Sequence, residues 1–176
     1  MKLEGATGGN VLNVDVDGRA ETTSVIQNSL EHYTDSGDSW AWSNVTYDPD
    51  AADTIILVQN THATKNLHIS QIEFVSDTAS EVTVHLTNGA TFTPTGTAIV
   101  ATNLNNNVGG IAFATAKGDE TANTQGNIVF HTKVLANTPN QFDMKNAVVL
   151  GNNQSIGVDL VTAATAAFTT IWGYYK

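Results

Sequence analysis

Residues 127–175, with the sequence NIVFHTKVLANTPNQFDMKNAVVLGNNQSIGVDLVTAATAAFTTIWGYY, decide the fold of this chain. Four short segments in this stretch are rich in alternating or β-branched apolar residues, and turns of Asn, Gly or Ala separate them: 127–136, 141–150, 155–162 and 167–175. Short strands with turn residues between them are typical of an antiparallel β-sandwich. This stretch therefore predicts a layered fold built from strands.

The same pattern continues upstream. Apolar alternation or a continuous apolar run predicts five further strands, at 40–47, 54–59, 66–76, 81–86 and 97–104. The alternation in 66–76 slips between Ile69 and Ile72, which predicts a β-bulge. Asn88-Gly89 is a strong turn signal after the strand at 81–86. We predict an all-β fold, an antiparallel β-sandwich of the jelly-roll type with eight to ten strands and little helix.

Two segments carry mixed signals. Residues 22–33 fit both a helical apolar stripe and a strand, and the β-branched residues near their start favour an extended structure. Residues 103–125 are rich in Asn and Gly, so we interpret them as a long loop. Within it, 111–116 is either a helical turn or an extended connection. Loops of this length are usually functional or interfacial.

The first twenty residues differ from the rest in composition. They contain four glycines, and Leu12, Val14 and Val16 alternate with polar residues. A period of two predicts an extended segment that is able to add to a sheet edge. We therefore predict an extended N-terminal arm over residues 1–20, followed by a single β-sandwich domain over residues 21–176.

Composition and charge exclude several classes of partner. Seven basic residues face seventeen acidic ones, which gives a formal charge of −10, and Arg19 is the single arginine. Nucleic acids and anionic membranes both attract clustered Lys and Arg, so we expect neither as a partner. No apolar run approaches the roughly 20 residues of a membrane span. The chain has no cysteine, and its start lacks the apolar core of a secretory signal, so we expect synthesis in a cytoplasm.

One short segment resembles part of a calcium loop. In residues 13–18, NVDVDG, oxygen ligands occupy alternate positions and glycine occupies the sixth. This makes Asn13, Asp15 and Asp17 the candidate ligands. The twelfth position should carry a bidentate Glu and instead carries Ser24. We therefore favour an acidic strand that ends at a glycine turn, and we predict no metal site.

The sequence contains no diagnostic catalytic motif. It lacks a His-x-His pair, a Gly-x-Ser-x-Gly elbow and a phosphate loop, so we predict no catalytic residues and no cofactor. The histidines at 32, 62, 68, 85 and 131 are isolated along the chain. A pair of carboxylates for glycoside hydrolysis remains an alternative, with the candidates Glu31, Glu73, Glu81, Asp143 and Asp159. A hydrolase of this kind would use Glu73 or Asp159, which lie on apolar strands. The simpler interpretation is that both face solvent.

Trp40 and Trp42 share one face of their predicted strand, because alternate strand residues point the same way. With Trp172, Tyr174 and Tyr175 they could form a platform that stacks against sugars, which would make the protein a carbohydrate-binding module. The same spacing also describes aromatic residues of a core or of a subunit contact. We favour a core or contact role and keep glycan binding as the alternative.

Several stretches together resemble small structural proteins of tailed bacteriophages, of the head-decoration or auxiliary virion type. They are residues 15–20 (DVDGRA), 54–61 (TIILVQNT), 67–72 (LHISQI), 96–105 (GTAIVATNLN), 150–159 (LGNNQSIGVD) and 171–175 (IWGYY). The resemblance implies a jelly-roll-like subunit without catalysis. It also implies self-assembly, often as a homotrimer, on a capsid lattice. The partner would be the major capsid protein or another virion protein, and the location would be the virion.

Two further observations bear on this resemblance. Decoration proteins are often shorter than this chain, and the long segment 103–125 also suits a tail or receptor-binding component. Charged residues make up only 14% of the chain. Neutral surface can be buried between subunits without stripping water from ions, which favours a protein that self-associates.

Overall fold

The computed structural model of the protein describes residues 3–4, 11–14, 20–21, 29–44, 54–92, 96–120, 126–162, 164 and 166–176. These residues form strands and one short helix. In chain order the elements are β1 Leu3–Glu4, β2 Val11–Val14, β3 Ala20–Glu21, α1 Ser29–Asp35, β4 Ser39–Ser43, β5 Thr54–Asn60, β6 Leu67–Ser76, β7 Ser80–Asn88, β8 Thr97–Ala98, β9 Thr102–Asn103, β10 Ala114–Gly118, β11 Asn127–Val134, β12 Asn140–Leu150, β13 Gln154–Leu160 and β14 Ala167–Tyr175. Among them, no helix has the length and apolar character needed to cross a membrane.

The longer strands pair in a nested order. β4 pairs with β14, β5 with β13, β6 with β12, and β7 with β11, all antiparallel. Successive pairs alternate between two sheets. Sheet I has the order β11-β7-β13-β5-β10-β8 and sheet II has the order β12-β6-β14-β4-β9. A long hairpin rolled up in this way is a jelly roll, so the predicted fold class is confirmed.

The hydrophobic core lies between the two sheets. β14 contributes Ala167 and Ile171 from alternate positions, β6 contributes Ile72 and Phe74, and β13 contributes Ile156. All five side chains are inaccessible to solvent. Inward-facing side chains of two stacked sheets interdigitate across a layer about 10 Å thick. The alternation that predicted the strands is therefore the alternation between core and outer face.

The four strands predicted over residues 127–175 are confirmed, with β14 at the predicted bounds. The predicted bulge in β6 is confirmed as well. Trp172 pairs with Gln71 and Gly173 pairs with Ile69, so Ser70 is the extra residue on β6. Because of this extra residue, the apolar side chains before and after the slip all face the core.

The single strand predicted at 97–104 is wrong. The chain instead forms two short strands there. β8 pairs with β10 in sheet I, and β9 pairs with β4 in sheet II. The residues between them cross from one sheet to the other, and the apolar alternation of the segment carries no information about such a crossing.

The preference for an extended structure at 22–33 is wrong for its last five residues, which lie in α1. The hydroxyl of Thr34 donates to the carbonyl of Leu30 within this helix. Tyr33 stacks on Tyr174 of β14 with ring centroids 4.5 Å apart. Packing on sheet II therefore outweighs the local propensity. Residues 22–28 lie outside the described part of the chain.

The strand predicted at 40–47 ends earlier than expected. β4 stops at Ser43, and Asn44 turns inward to bond β14: its amide donates to the carbonyl of Ala167 and its carbonyl accepts from the N–H of Thr169. The remainder of that prediction, 45–47, lies outside the described residues.

Part of the predicted arm is described. β1 pairs with β2, and β2 pairs with β3, so these segments form a small antiparallel sheet with one another. They are extended, as the sequence predicts. The addition of the arm to another sheet edge, and the division into an arm and one domain, stay predictions.

Within the long segment at 103–125, the extended alternative for 111–116 is confirmed for its last three residues, which begin β10. This strand pairs with β5 and continues to Gly118, where a loop was predicted. Residues 121–125 lie outside the described part. The remainder of the segment, before β10, runs past β4 and the β5–β6 loop, and this placement creates the pocket described below.

Candidate functional site

The two tryptophans of β4 lie in the core. Trp42 is fully buried and Trp40 is 5% exposed. A sugar can stack only on a ring face that solvent reaches, so the structure corrects the hypothesis that this pair forms an exposed glycan platform. Their shared face is confirmed, and it is the core face of sheet II.

The two candidate carboxylates are far apart in the fold. Glu73 lies on the outer face of β6 in sheet II and is exposed, whereas Asp159 lies on β13 in sheet I and is 1% exposed. The core separates them, because the two sheets stack about 10 Å apart. The two carboxylates therefore do not form a pair, and the prediction that both face solvent is confirmed for Glu73 and wrong for Asp159.

Asp159 is the centre of a buried polar network on sheet I. The hydroxyl of Thr54 donates to Asp159 Oδ1 at 2.6 Å, and His85 Nε2 lies 3.0 Å from the same oxygen. The three residues sit on β5, β7 and β13, which are neighbours in the sheet. His85 is fully buried and Thr54 is nearly so. The network therefore links three central strands side by side.

The protonation of His85 follows from its partners. The backbone N–H of Gly126 donates to His85 Nδ1 at 3.3 Å, so Nδ1 accepts and the ring proton lies on Nε2, facing Asp159. In a nucleophilic triad the hydroxyl bonds the imidazole and the imidazole bonds the carboxylate. Here the hydroxyl of Thr54 bonds the carboxylate directly. The arrangement is that of a structural network and does not activate a nucleophile.

Gly157 makes room for this network. It lies opposite His85 on the neighbouring strand, and a Cβ at this position would collide with the imidazole ring. Glycine is therefore required for the ring to lie flat across β13 and reach Asp159.

The other histidines have separate surroundings. His131 bonds Glu81 at 3.2 Å and Thr83 at 3.2 Å across β7 and β11. Hydrogen bonding from Lys133, and then its charge, lower the pKa of Glu81, with a smaller contribution from His131. The part of the chain that the structure describes contains no group of three or more His, Asp or Glu side chains that could hold a metal. Of the calcium candidates, Asn13 lies in β2, and Asp15 and Asp17 lie outside the described residues.

A stack of three aromatic rings covers one end of the outer face of sheet II. Tyr174 lies between Tyr33 of α1 and His68 of β6, with centroid distances of 4.5 and 5.1 Å and rings tilted by only 7°. Partial burial, and then the charge of Lys176, lower the pKa of His68. The stack fixes α1 on the sheet, and it includes Tyr174, one of the aromatic residues that the sequence offered for glycan binding.

A pocket of about 210 Å³ opens where three loops meet near the end of the core. We call it the Tyr175 pocket. Its walls come from the turn after α1, the loop between β5 and β6, and the connection between β9 and β10: Ser36, Gly37, Asp38, Trp40, His62, Lys65, Val108, Gly109, Gly110, Ile111, Phe113 and Tyr175. Sequence reasoning missed this site, because its residues come from segments that only the fold brings together.

The polar side chains that line the Tyr175 pocket differ in how they are bonded. His62 Nδ1 accepts the N–H groups of Thr64 and Lys65 at 3.2 and 3.0 Å, so the ring proton lies on Nε2. Lys65 and Asp38 form an ion pair at 3.1 Å. The phenol oxygen of Tyr175 is buried and has no hydrogen-bond partner among the described residues. Burial raises the pKa of this phenol.

Apolar side chains are exposed along one edge of the sandwich. β11 ends sheet I and β12 ends sheet II on the same side, where Phe130 and Phe142 contact each other at 4.7 Å. Ile128 is 58% exposed and Val129 is 38% exposed on β11. We call the segment Asn127, Ile128, Val129 and Phe130 the β11 edge. It contains no charged residue.

Comparison with known proteins assigns no family to this chain. No protein-family model matches the chain, and no curated protein matches it. Two solved structures are similar, both of the coat protein of Tobacco streak virus. One covers 78% of this chain and 85% of its own at 13% identity and a TM-score of 0.31. The other, a coat protein dimer, covers 78% and 86% at 13% identity and a TM-score of 0.23. At these TM-scores neither likeness supports a functional assignment.

Proposed function

We propose that this chain is a non-enzymatic structural protein of a virus particle, a decoration or stabilising subunit of a tailed bacteriophage that self-associates and docks on the capsid. The observation that carries the proposal is a jelly-roll sandwich with a neutral, apolar edge on β11. The resemblance of the sequence to head-decoration proteins supports the same role. A closed homotrimer is the assembly we favour, since soluble homo-oligomers usually have closed symmetry.

The β11 edge is suited to a protein contact. A strand at the end of a sheet presents unpaired N–H and C=O groups, and natural proteins protect such edges with charges or with a covering segment. Lys133 supplies a charge near the far end of β11, where it is 82% exposed. The β11 edge has a bulge between Ile128 and Phe130, but among the described residues it has neither a charge nor a covering segment, so a partner is expected to cover it.

A second copy of the same chain is the occupant we propose for the β11 edge. The chain carries a formal charge of −10, so two copies repel each other over much of their surface. At the β11 edge they can approach without burying a charge, which avoids the cost of removing water from an ion. Strand addition across this edge would also satisfy the backbone groups of β11.

Native mass spectrometry and light scattering at increasing concentration test this proposal. We expect an oligomer for the wild-type chain and a monomer for Ile128→Glu, because a carboxylate at the β11 edge would be buried on association. Leu135→Glu is the matched control: Leu135 is 71% exposed in the turn after β11, and this variant should assemble like the wild type. A wild-type chain that stays monomeric at every concentration would contradict self-association.

The virion role needs its own measurement. Antibodies against the chain should label virus particles purified from the source of the protein in immunogold electron microscopy. Particles that contain no copy of the chain by labelling and by mass spectrometry would rule out this role, whatever the oligomeric state.

A further inference from the structure

We propose that the Tyr175 pocket binds a neutral sugar residue. The inference concerns a second activity of the chain and is independent of the virion role. It rests on how apolar and polar groups are combined in this pocket, and on the phenol of Tyr175. It does not use the tryptophan platform that the sequence indicated, since those indoles lie in the core.

The apolar part of the pocket suits the C–H face of a sugar ring. Phe113 is 53% exposed, and its ring meets His62 edge-on, with centroids 4.6 Å apart and an angle of 71°. This contact holds the phenyl ring in place while solvent still reaches it. Trp40 packs beneath Gly110, where a Cβ would lie 3.4 Å from the indole. A small residue at this position lets the backbone lie against the indole, which is only 5% exposed and so supplies no stacking face.

The polar part suits hydroxyl groups. His62 has its free ring proton on Nε2, since both of its Nδ1 bonds are accepted from backbone N–H groups. Tyr175 offers a phenol that can donate and accept, and that has no partner among the described residues. A buried polar atom without a partner costs about 1–3 kcal/mol, so a ligand hydroxyl that bonds it recovers part of that cost. Burial raises the pKa of this phenol, which keeps it neutral.

The charge of the pocket favours a neutral ligand. Asp38 and Lys65 compensate each other at 3.1 Å, and both are partly exposed, at 38% and 42%. An anionic ligand would meet the carboxylate and a cationic one would meet the ammonium group. A sugar hydroxyl can bond either partner without breaking the pair. A purely apolar ligand would leave the phenol of Tyr175 unbonded.

Titration by two-dimensional amide NMR tests the inference, with glucose, galactose, mannose and N-acetylglucosamine as probes at millimolar concentration. We expect at least one sugar to give saturable shifts at Gly109, Gly110 and the indole of Trp40. Tyr175→Phe should weaken this binding about fivefold, as expected for the loss of one hydrogen bond. Phe113→Ala, which removes an exposed ring, should weaken it as well.

Tyr174→Phe is the matched control. Tyr174 directly precedes Tyr175 in β14, but its ring lies between Tyr33 and His68 on the outer face of sheet II. This variant should bind the sugar like the wild type. Tyr175→Phe should unfold at a denaturant concentration no lower than that of the wild type, since the deleted hydroxyl is buried and has no partner among the described residues.

Two results would overturn the inference. One is that none of the four sugars gives saturable shifts at the pocket. The other is that Tyr174→Phe weakens binding as much as Tyr175→Phe does. The monomeric variant Ile128→Glu should still bind the sugar, so failure of the assembly proposal and failure of this one give different results.

Discussion

At the level of single residues, Asp159 shows how one buried carboxylate organises its neighbours. It accepts hydrogen bonds from Thr54 and His85, which approach it from the two strands on either side. A buried carboxylate is stable only when it is bonded in this way. The same side chain on the exposed face of a strand would contribute little to the free energy of unfolding.

Asp159→Ala is therefore expected to lower the free energy of unfolding by about 2–3 kcal/mol, since hydrogen bonds to a charged group contribute about 1.5–3 kcal/mol. The measurement is urea denaturation followed by tryptophan fluorescence. Glu73→Ala is the control, because Glu73 is exposed on sheet II, and a surface change of this kind stays within about 0.5 kcal/mol. Equal effects of the two variants would contradict the network.

His68 gives a prediction about pH. Desolvation and the charge of Lys176 lower its pKa from the ordinary value of 6.5, so it should titrate below 6.5 in an NMR pH titration of the folded protein. Lys176→Met should raise that pKa, because a neighbouring positive charge is removed. A pKa that is unchanged in Lys176→Met would argue against this contact.

The sign of the effect on stability follows from the same shift. Just below pH 6.5 the unfolded chain binds more protons at His68 than the folded chain does, so the free energy of unfolding falls as the pH falls. The contribution of His68 is fully present above pH 6.5 and is lost as the pH drops through the pKa of the folded state.

The sequence alone could not predict which side chains contact each other in the fold. The shared face of Trp40 and Trp42 followed from the period of two, but not whether that face was the core or a surface. His85 and Asp159 are 74 residues apart and meet because β7 and β13 are neighbours in sheet I. No local pattern encodes that adjacency, and the same holds for His62 and Tyr175.

At the level of elements, β12 contains an irregularity that alternation alone did not reveal. Asp143 pairs with Gln71 and Val148 pairs with Ile69, so four residues on β12 face one residue on β6. Lys145 and Asn146 adopt positive φ angles of 48° and 58° there. The side chain of Asp143 accepts the N–H of Lys145 at 2.8 Å and closes the turn. After this turn the strand continues, and its alternate side chains face the core again.

Lys145→Gly should raise the free energy of unfolding by up to about 1 kcal/mol, since the left-handed region costs a residue with a Cβ about 1–2 kcal/mol and costs glycine little. Thermal unfolding by circular dichroism measures the effect. In Lys133→Gly, in the part of β11 that pairs regularly with β7, the same change should lower stability by about 0.5–1 kcal/mol. Destabilisation by both variants would argue against the left-handed turn.

The elements differ in how well the sequence predicted them. β13 and β14 are flanked by turn residues and have a uniform period, so their positions followed directly. α1 was missed because its helical stripe overlaps a β-branched run, and its contact with Tyr174 decides the outcome. β8 and β9 were predicted as one strand, because the alternation of apolar residues does not show where the chain crosses from one sheet to the other.

At the level of the whole molecule, the nested pairing makes almost every strand depend on a distant partner. Ser43 of β4 bonds Thr170 of β14, which lies 127 positions later in the sequence. Proteins dominated by such distant contacts fold slowly, in milliseconds to seconds, because a long loop must close before any contact forms. The fold class could be predicted from local patterns, whereas this pairing order could not.

The nested order of strand pairing also affects how the chain folds while the ribosome synthesises it. A ribosome adds about 5–20 residues per second, so roughly 6–25 seconds pass between the emergence of β4 and that of β14. During this interval β4 lacks its hydrogen-bonded neighbour β14, so the sheet that carries Trp40 and Trp42 is incomplete. Nascent chains of this protein should therefore recruit chaperones that hold exposed apolar segments, and codon changes that slow translation between β4 and β14 should lengthen that engagement.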